Sequence, residues 1–108
     1  MSSDLLPLYH KLLQEYDRVI SLTDRLLCSL KAKETEEAIE SLLNQRLETM
    51  RSIQKITLSL NNFRPADSPR VDPKTVARLK SIHAKLEEKT SLLEKKETEL
   101  EKLAEELE

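Results

Sequence analysis

The chain of 108 residues is rich in charged side chains and poor in aromatic ones. Charged residues make up 35%, aromatic residues 3%, and glycine is absent. Average proteins have about a quarter charged residues and about 7% glycine, so this composition is typical of long helices. Without glycine the chain cannot form the phosphate-binding loops of nucleotide-binding enzymes. The 18 basic and 20 acidic residues nearly balance, so no strong field would attract nucleic acid or an anionic membrane.

Cysteine content and hydropathy predict a cytoplasmic location. Cys28 is the single cysteine, and it cannot form an internal disulfide. The first residues lack the charged and long apolar regions of a secretory signal. No stretch approaches the ~18 uninterrupted apolar residues of a membrane span. We therefore expect no membrane-spanning segment.

The first predicted helix covers about residues 5–31. Its apolar residues occur as adjacent pairs seven residues apart, and these pairs are Leu5-Leu6, Leu12-Leu13, Val19-Ile20 and Leu26-Leu27. About three apolar positions per heptad make a stripe wider than the seam of a two-stranded coiled coil. We therefore expect this helix to pack against two neighbours.

The second predicted helix covers about residues 36–62 and follows a short turn. Thr35 is the predicted N-cap, and Glu36 and Glu37 then occupy the first turn, where carboxylates interact favourably with the helix dipole. A connection this short makes the two helices antiparallel neighbours. Since the chain has no glycine, we expect its turns to avoid positive φ or to use Asn or Asp there.

The third predicted helix covers about residues 73–108, after a proline-rich linker at residues 61–73. Asp72 is the predicted cap, and Pro73 takes the first helical position. Leucines recur every seven residues along the helix, as Leu79, Leu86, Leu93, Leu100 and Leu107. The predicted fold is a single all-α domain, either an antiparallel three-helix bundle or a helical hairpin plus a long C-terminal helix with coiled-coil character.

Residues suited to catalysis are few. His10, His83 and Cys28 have neither the spacing of a metal site nor that of a nucleophile with its base. We expect His83 to be a partly buried structural histidine and Cys28 to be an ordinary small residue. A hydrolase or a phosphotransfer protein would require a site that this sequence does not display. The sequence therefore predicts a non-enzymatic protein without a cofactor or a bound metal.

Arg46 interrupts the apolar stripe of the second helix. Ile39, Leu43, Met50 and Ile53 follow spacings of four and three residues, and Arg46 occupies the position between them where an apolar side chain is expected. In one interpretation its aliphatic stem covers apolar neighbours while the charge reaches solvent or a glutamate. In the other, Arg46 borders an open groove and offers its guanidinium to a carboxylate on an incoming helix.

A family resemblance accompanies this pattern. The leucine-rich first helix, the short acidic turn and the run LLNQRLETMRSIQKI resemble the FliT/FlgN-type flagellar export chaperones over residues 5 to about 60. The resemblance implies binding to the amphipathic terminal helix of a flagellar axial protein, which prevents its premature assembly and aids its delivery for export. It also implies that the third helix covers part of the binding groove in the free state.

We therefore expect a protein that binds a protein partner through a helix-sized apolar groove or through coiled-coil contacts. The predicted partner-binding residues are Leu42, Arg46, Met50, Ile53, Leu86, Leu93, Leu100, Leu103 and Leu107. The alternative is a structural oligomerisation or adaptor module in which the third helices of two copies pair through their heptad leucines to form a homodimer.

Overall fold

A computed structural model of the chain describes residues 5–61 and 73–107. This part of the chain is all-α, as predicted, and contains three helices: α1 (Leu5–Lys31), α2 (Glu36–Asn61) and α3 (Pro73–Leu107). Their limits lie within one residue of those expected from the heptad pattern and the turn chemistry. Most of the predicted linker, residues 62–72, lies outside the described residues, and so does the predicted cap Asp72. Glu108 also lies outside them.

Helix α1 is the central element, because both of the other helices pack against it. Its buried residues are Leu12, Val19, Leu22, Thr23, Leu26, Leu27 and Ser29. The buried residues of α2 are Leu42, Thr49 and Ile56, and that of α3 is Ile82. The broad apolar stripe of α1 thus serves two neighbours, as its width predicted.

Helix α3 runs parallel to α1, and α2 runs antiparallel to both. Lys89 pairs with Asp17, and Lys96 pairs with Asp24. Both pairs join residues 72 positions apart in the chain. Since the separation stays the same over one heptad, the two helices advance in the same direction and in register.

Helices α2 and α3 stay apart from one another. Within the described ranges, no Cα atom of α2 lies within 8 Å of a Cα atom of α3. They meet through side chains that converge on α1, where Leu22, Leu26 and Leu42 form a buried cluster. Ile39 and Leu100 pack against this cluster from α2 and α3. The seam between α2 and α3 is therefore wider than either seam with α1.

The turn between α1 and α2 forms a Schellman motif, in which Lys33 is the left-handed residue that follows the helix end. Glu34 donates its backbone N–H to the Ser29 carbonyl (3.0 Å), and Lys33 donates to the Leu30 carbonyl (3.2 Å). Lys33 has φ of 53°, the left-handed conformation that glycine usually supplies at this position. The expectation that Asn or Asp would fill such a position was wrong. These two hydrogen bonds favour the left-handed conformation although the residue carries a Cβ.

Thr35 is the N-cap of α2, as predicted. Its hydroxyl oxygen accepts the Ala38 N–H at 3.2 Å, and its carbonyl accepts the Ile39 N–H at 3.1 Å. Glu36 and Glu37 occupy the first turn of the helix. Cap and turn together place α2 beside α1 within four residues.

Replacing Lys33 by glycine is expected to raise the free energy of unfolding by up to about 1 kcal/mol, because glycine removes the steric cost of the left-handed conformation. The same change at Lys11, an exposed residue in the interior of α1, is expected to lower it by about 1 kcal/mol. Urea unfolding of the two variants measures the difference. Equal effects of the two substitutions would show that the turn carries no such strain.

Candidate protein-binding surface

The predicted partner-binding residues occupy three different environments. Leu42 is buried in the cluster with Leu22 and Leu26. Leu107, near the end of α3, is half-exposed. Half-buried side chains make up the rest of the set, Arg46, Met50, Ile53, Leu86, Leu93, Leu100 and Leu103. The structure brings Leu42 and Leu100 together at this cluster, and Arg46 reaches α3 through Glu97.

Arg46 joins all three helices through its guanidinium. Its Nε donates a hydrogen bond to Oγ1 of Thr23 in α1 at 3.0 Å, and its Nη2 pairs with Oε1 of Glu97 in α3. The Thr23 hydroxyl donates in turn to the Val19 carbonyl at 2.8 Å. The Arg46 side chain is 12% exposed and that of Glu97 33%. A half-buried charged pair thus links α2 to α3, one helical turn from the apolar cluster around Leu26.

The environment of Arg46 is costly for a cation. Burial lowers the pKa of the Arg46 guanidinium below its usual value, although arginine stays charged at neutral pH. A desolvated cation requires a charged and hydrogen-bonded partner, and removing that partner leaves a penalty of several kcal/mol in a fully buried pair. Glu97 and Thr23 satisfy this requirement together.

This geometry resolves the two interpretations of Arg46. Its charge meets a glutamate, as the first interpretation allowed, but at a half-buried position and not at the surface. Its guanidinium also receives a carboxylate from a neighbouring helix, as the second interpretation required, although that helix belongs to the same chain. Glu97 was not among the predicted site residues. Glu97 could have been considered from the sequence, because it carries the opposite charge and follows His83 and Thr90 at seven-residue spacing on α3.

Two further ion pairs attach α3 to the outer side of α1. They join Lys89 to Asp17 and Lys96 to Asp24, and the two aspartate side chains are 62% and 52% exposed. Exposed pairs of this kind contribute roughly 0–1 kcal/mol each. Because the two pairs are one heptad apart on both helices, they define the register of α3 against α1. Their contribution to stability is small.

Replacing Asp17 and Asp24 together by lysine is expected to loosen α3. The two attractive pairs become repulsive, so hydrogen exchange of α3 backbone amides should quicken severalfold while that of α1 changes little. A matched control carries Glu40→Lys and Glu48→Lys, which make the same charge change on exposed residues of α2. Equal exchange in the two variants would contradict a role for these pairs in attaching α3.

Helix α3 buries few apolar side chains along most of its length. Among residues 73–107, Ile82 is the buried side chain, with 5% exposure. Leu100 packs on the cluster of Leu22, Leu26 and Leu42, while Val76 and Leu92 are exposed. The helix is thus held by half-buried leucines, one buried position and charge pairs.

The structure also exposes leucines that the sequence did not single out as partner-binding residues. In α2 these are Leu47 and Leu58, with 49% and 62% exposure, and Leu43, with 45%. Leu43 and Leu47 lie one turn apart. Isolated exposed leucines are common on soluble proteins, so they do not by themselves define a binding surface.

Of the residues considered for catalysis, Cys28 lies far from the two histidines. His10 and Cys28 are 18 residues apart in the same helix, which places them about 27 Å from each other. His83 is exposed, contrary to the expectation of partial burial, and its ring makes an edge contact with Tyr9 at 5.2 Å. The described residues contain no group of three or more His, Cys, Asp or Glu side chains arranged to hold a metal ion.

Comparison of the chain with protein-family models, with curated proteins and with solved structures gave no match. Within residues 5–61 and 73–107, each helix falls short of the continuous apolar length that crossing a bilayer requires. The described residues form an all-α protein in which α3 packs on the α1 side of the α1–α2 hairpin and runs parallel to α1.

Proposed function

We propose that this protein is a non-enzymatic, cytoplasmic helix-binding protein, a flagellar or type III export chaperone that holds an amphipathic helix of an export client. The binding surface is the face of the α1–α2 hairpin on which α3 lies. The run LLNQRLETMRSIQKI in α2 supports the family assignment through its resemblance to the FliT/FlgN-type chaperones.

The attachment of α3 is the observation that carries this proposal. The hairpin already holds one amphipathic helix, through half-buried leucines such as Leu93 and Leu100 and with Ile82 as the buried position within residues 73–107. Helix-in-groove recognition uses the same elements, an apolar groove and side chains spaced by three or four residues. A helix held this lightly can be exchanged for another helix of similar pattern.

Truncation of the chain just before Glu94 tests the proposal. The truncated chain loses Leu100 and the ion pairs of Lys96 and Glu97, which frees the part of the hairpin face nearest the α1–α2 turn. It is expected to bind a synthetic peptide of residues 94–107, the segment that it lacks, at least about tenfold more tightly than the full chain, in which α3 competes at a high effective concentration. Fluorescence anisotropy of the labelled peptide measures both affinities.

Unchanged or weaker binding by the truncated chain would count against the proposal. A peptide of the same composition in scrambled order is the control for non-specific attachment. Circular dichroism of the truncated chain, which should retain the helical signal of the hairpin, accompanies the measurement.

The alternative is a structural oligomerisation module that pairs through α3. Leu92 and Leu107 favour it, because they are 44% and 50% exposed on that helix. The heptad residues Leu86 and Leu93 are half-buried against the chain's own hairpin, so a zipper would have to release them. Sedimentation discriminates between the two functions. A stable dimer that is lost on Leu86→Lys and Leu93→Lys would support the module, and a concentration-independent monomer would exclude it.

A further inference from the structure

The requirement of Arg46 for a negative charge limits which helices can replace α3. Within the described residues, Glu97 is the ion-pair partner of Arg46. Thr23 accepts one hydrogen bond from it but is neutral, and its own proton is given to the Val19 carbonyl. When α3 leaves, the cation therefore loses its charge partner and keeps an uncharged one.

The hairpin offers no ready substitute for Glu97. The residues one turn from Arg46 on its own helix are Leu42, Leu43, Thr49 and Met50, none of them acidic. The nearest acid in sequence to Thr23 is Asp24, which points about 100° away around α1 and faces the side where Lys96 pairs with it. Among these neighbours within residues 5–61, no acid replaces Glu97, so a helix that buries Arg46 again is expected to supply the negative charge.

The surroundings of Glu97 also set the spacing that such a helix needs. Leu100, three residues later, packs on the cluster of Leu22, Leu26 and Leu42. Leu93, four residues earlier, is half-buried on the same face of α3. The direction is fixed as well, because α3 runs parallel to α1.

We infer that the partner helix of this protein carries a carboxylate, four residues after one large apolar side chain and three residues before another, which pairs with Arg46 when the helix binds parallel to α1. The inference rests on the proposed function. Charge complementarity to the half-buried guanidinium identifies the occupant, and α3 itself shows the pattern as Leu93, Glu97 and Leu100. Arg46 is then the residue that selects acidic amphipathic helices over purely apolar ones.

The test uses the full-length chain with Leu93→Lys and Leu100→Lys, which weaken its own α3 on either side of Glu97. Three labelled peptides of residues 86–107 serve as probes: the native sequence, Glu97→Gln and Glu101→Gln. Glu101 is exposed and lies one turn from Glu97, so its substitution is a matched loss of charge. The Glu97→Gln peptide is expected to bind at least about tenfold more weakly than the other two.

Adding Arg46→Met to the same chain is expected to remove this discrimination, so that the three peptides bind alike. Equal binding of all three peptides to the chain that retains Arg46 would overturn the carboxylate requirement and leave helix binding intact. Failure of every peptide to bind would overturn the proposed function together with the inference.

Thermal unfolding of otherwise wild-type chains provides a second measurement. It does not depend on whether the chain with Leu93→Lys and Leu100→Lys folds. Glu97→Gln is expected to lower Tm more than Glu101→Gln does, and this difference should vanish when Arg46 is methionine. Equal Tm values for the two glutamine variants would also contradict the inference.

Discussion

Replacing Leu26 by alanine is expected to lower the free energy of unfolding by about 3 kcal/mol. The side chain is 1% exposed and lies in the cluster with Leu22 and Leu42, where Leu100 also packs. Truncation of a buried leucine loses its transfer free energy and leaves a cavity that neighbours fill only in part. Because all three helices meet at this cluster, the loss should weaken the whole bundle. Urea unfolding followed by circular dichroism measures it.

Leu43→Ala is the matched control, since Leu43 is one residue from Leu42 but 45% exposed. Its replacement is expected to change the free energy of unfolding by less than about 1 kcal/mol. Similar losses for Leu26→Ala and Leu43→Ala would mean that the core does not lie where the three helices converge on α1.

Replacing Glu97 by alanine is expected to cost about 2 kcal/mol, more than Arg46→Met. Loss of Glu97 leaves the half-buried guanidinium without a charge partner, and breaking a fully buried pair costs about 3–5 kcal/mol. The partial exposure of Glu97 reduces this figure. Arg46→Met leaves only a carboxylate that can turn toward water, so its cost is expected near 1 kcal/mol.

The double variant Arg46→Met with Glu97→Leu replaces both members of the pair by apolar side chains. Exchange of an internal ion pair for apolar side chains is often neutral or stabilising. The urea concentration at the midpoint of unfolding should therefore be at least as high for this variant as for Glu97→Ala. A double variant less stable than either single one would show that the pair contributes stability beyond satisfying its own charges. A neutral or stabilised double variant would indicate that the pair serves recognition rather than stability.

The heptad pattern predicted the fold well because helix formation and apolar spacing are local properties. Thr35 as a cap and the broad stripe of α1 were both readable from residues close in sequence. The exact face of α2 was harder to predict. The pattern counted Ile39, Leu43, Met50 and Ile53, whereas the buried residues of α2 are Leu42, Thr49 and Ile56.

A threonine in the core explains this shift of face. Thr49 is 2% exposed, and its hydroxyl donates to the Gln45 carbonyl at 2.8 Å. A side chain whose hydroxyl is satisfied within its own helix can be buried, yet it does not register in a search for apolar residues. The seven-residue spacing of the buried positions was therefore hidden.

The partner of Arg46 could not be predicted for a different reason. Periodicity identifies the face on which a residue lies, but the neighbour across a seam depends on the direction and register of the other helix. The register of α3 against α1 became evident only from the ion pairs of Asp17 and Asp24 with Lys89 and Lys96. The sequence therefore singled out Arg46 but not Glu97, the acidic residue that pairs with it.

The long connection between α1 and α3 has a consequence for the order of folding. Contacts between α1 and α2 join residues near in sequence, such as Thr23 and Arg46, 23 positions apart, whereas Asp17 and Lys89 are separated by 72. Closing the longer loop costs about 1 kcal/mol more in chain entropy. The hairpin is therefore expected to form first, and during synthesis it can exist before α3 has been translated. A newly made molecule would then pass through an interval in which the face of the hairpin that α3 covers is open to solvent.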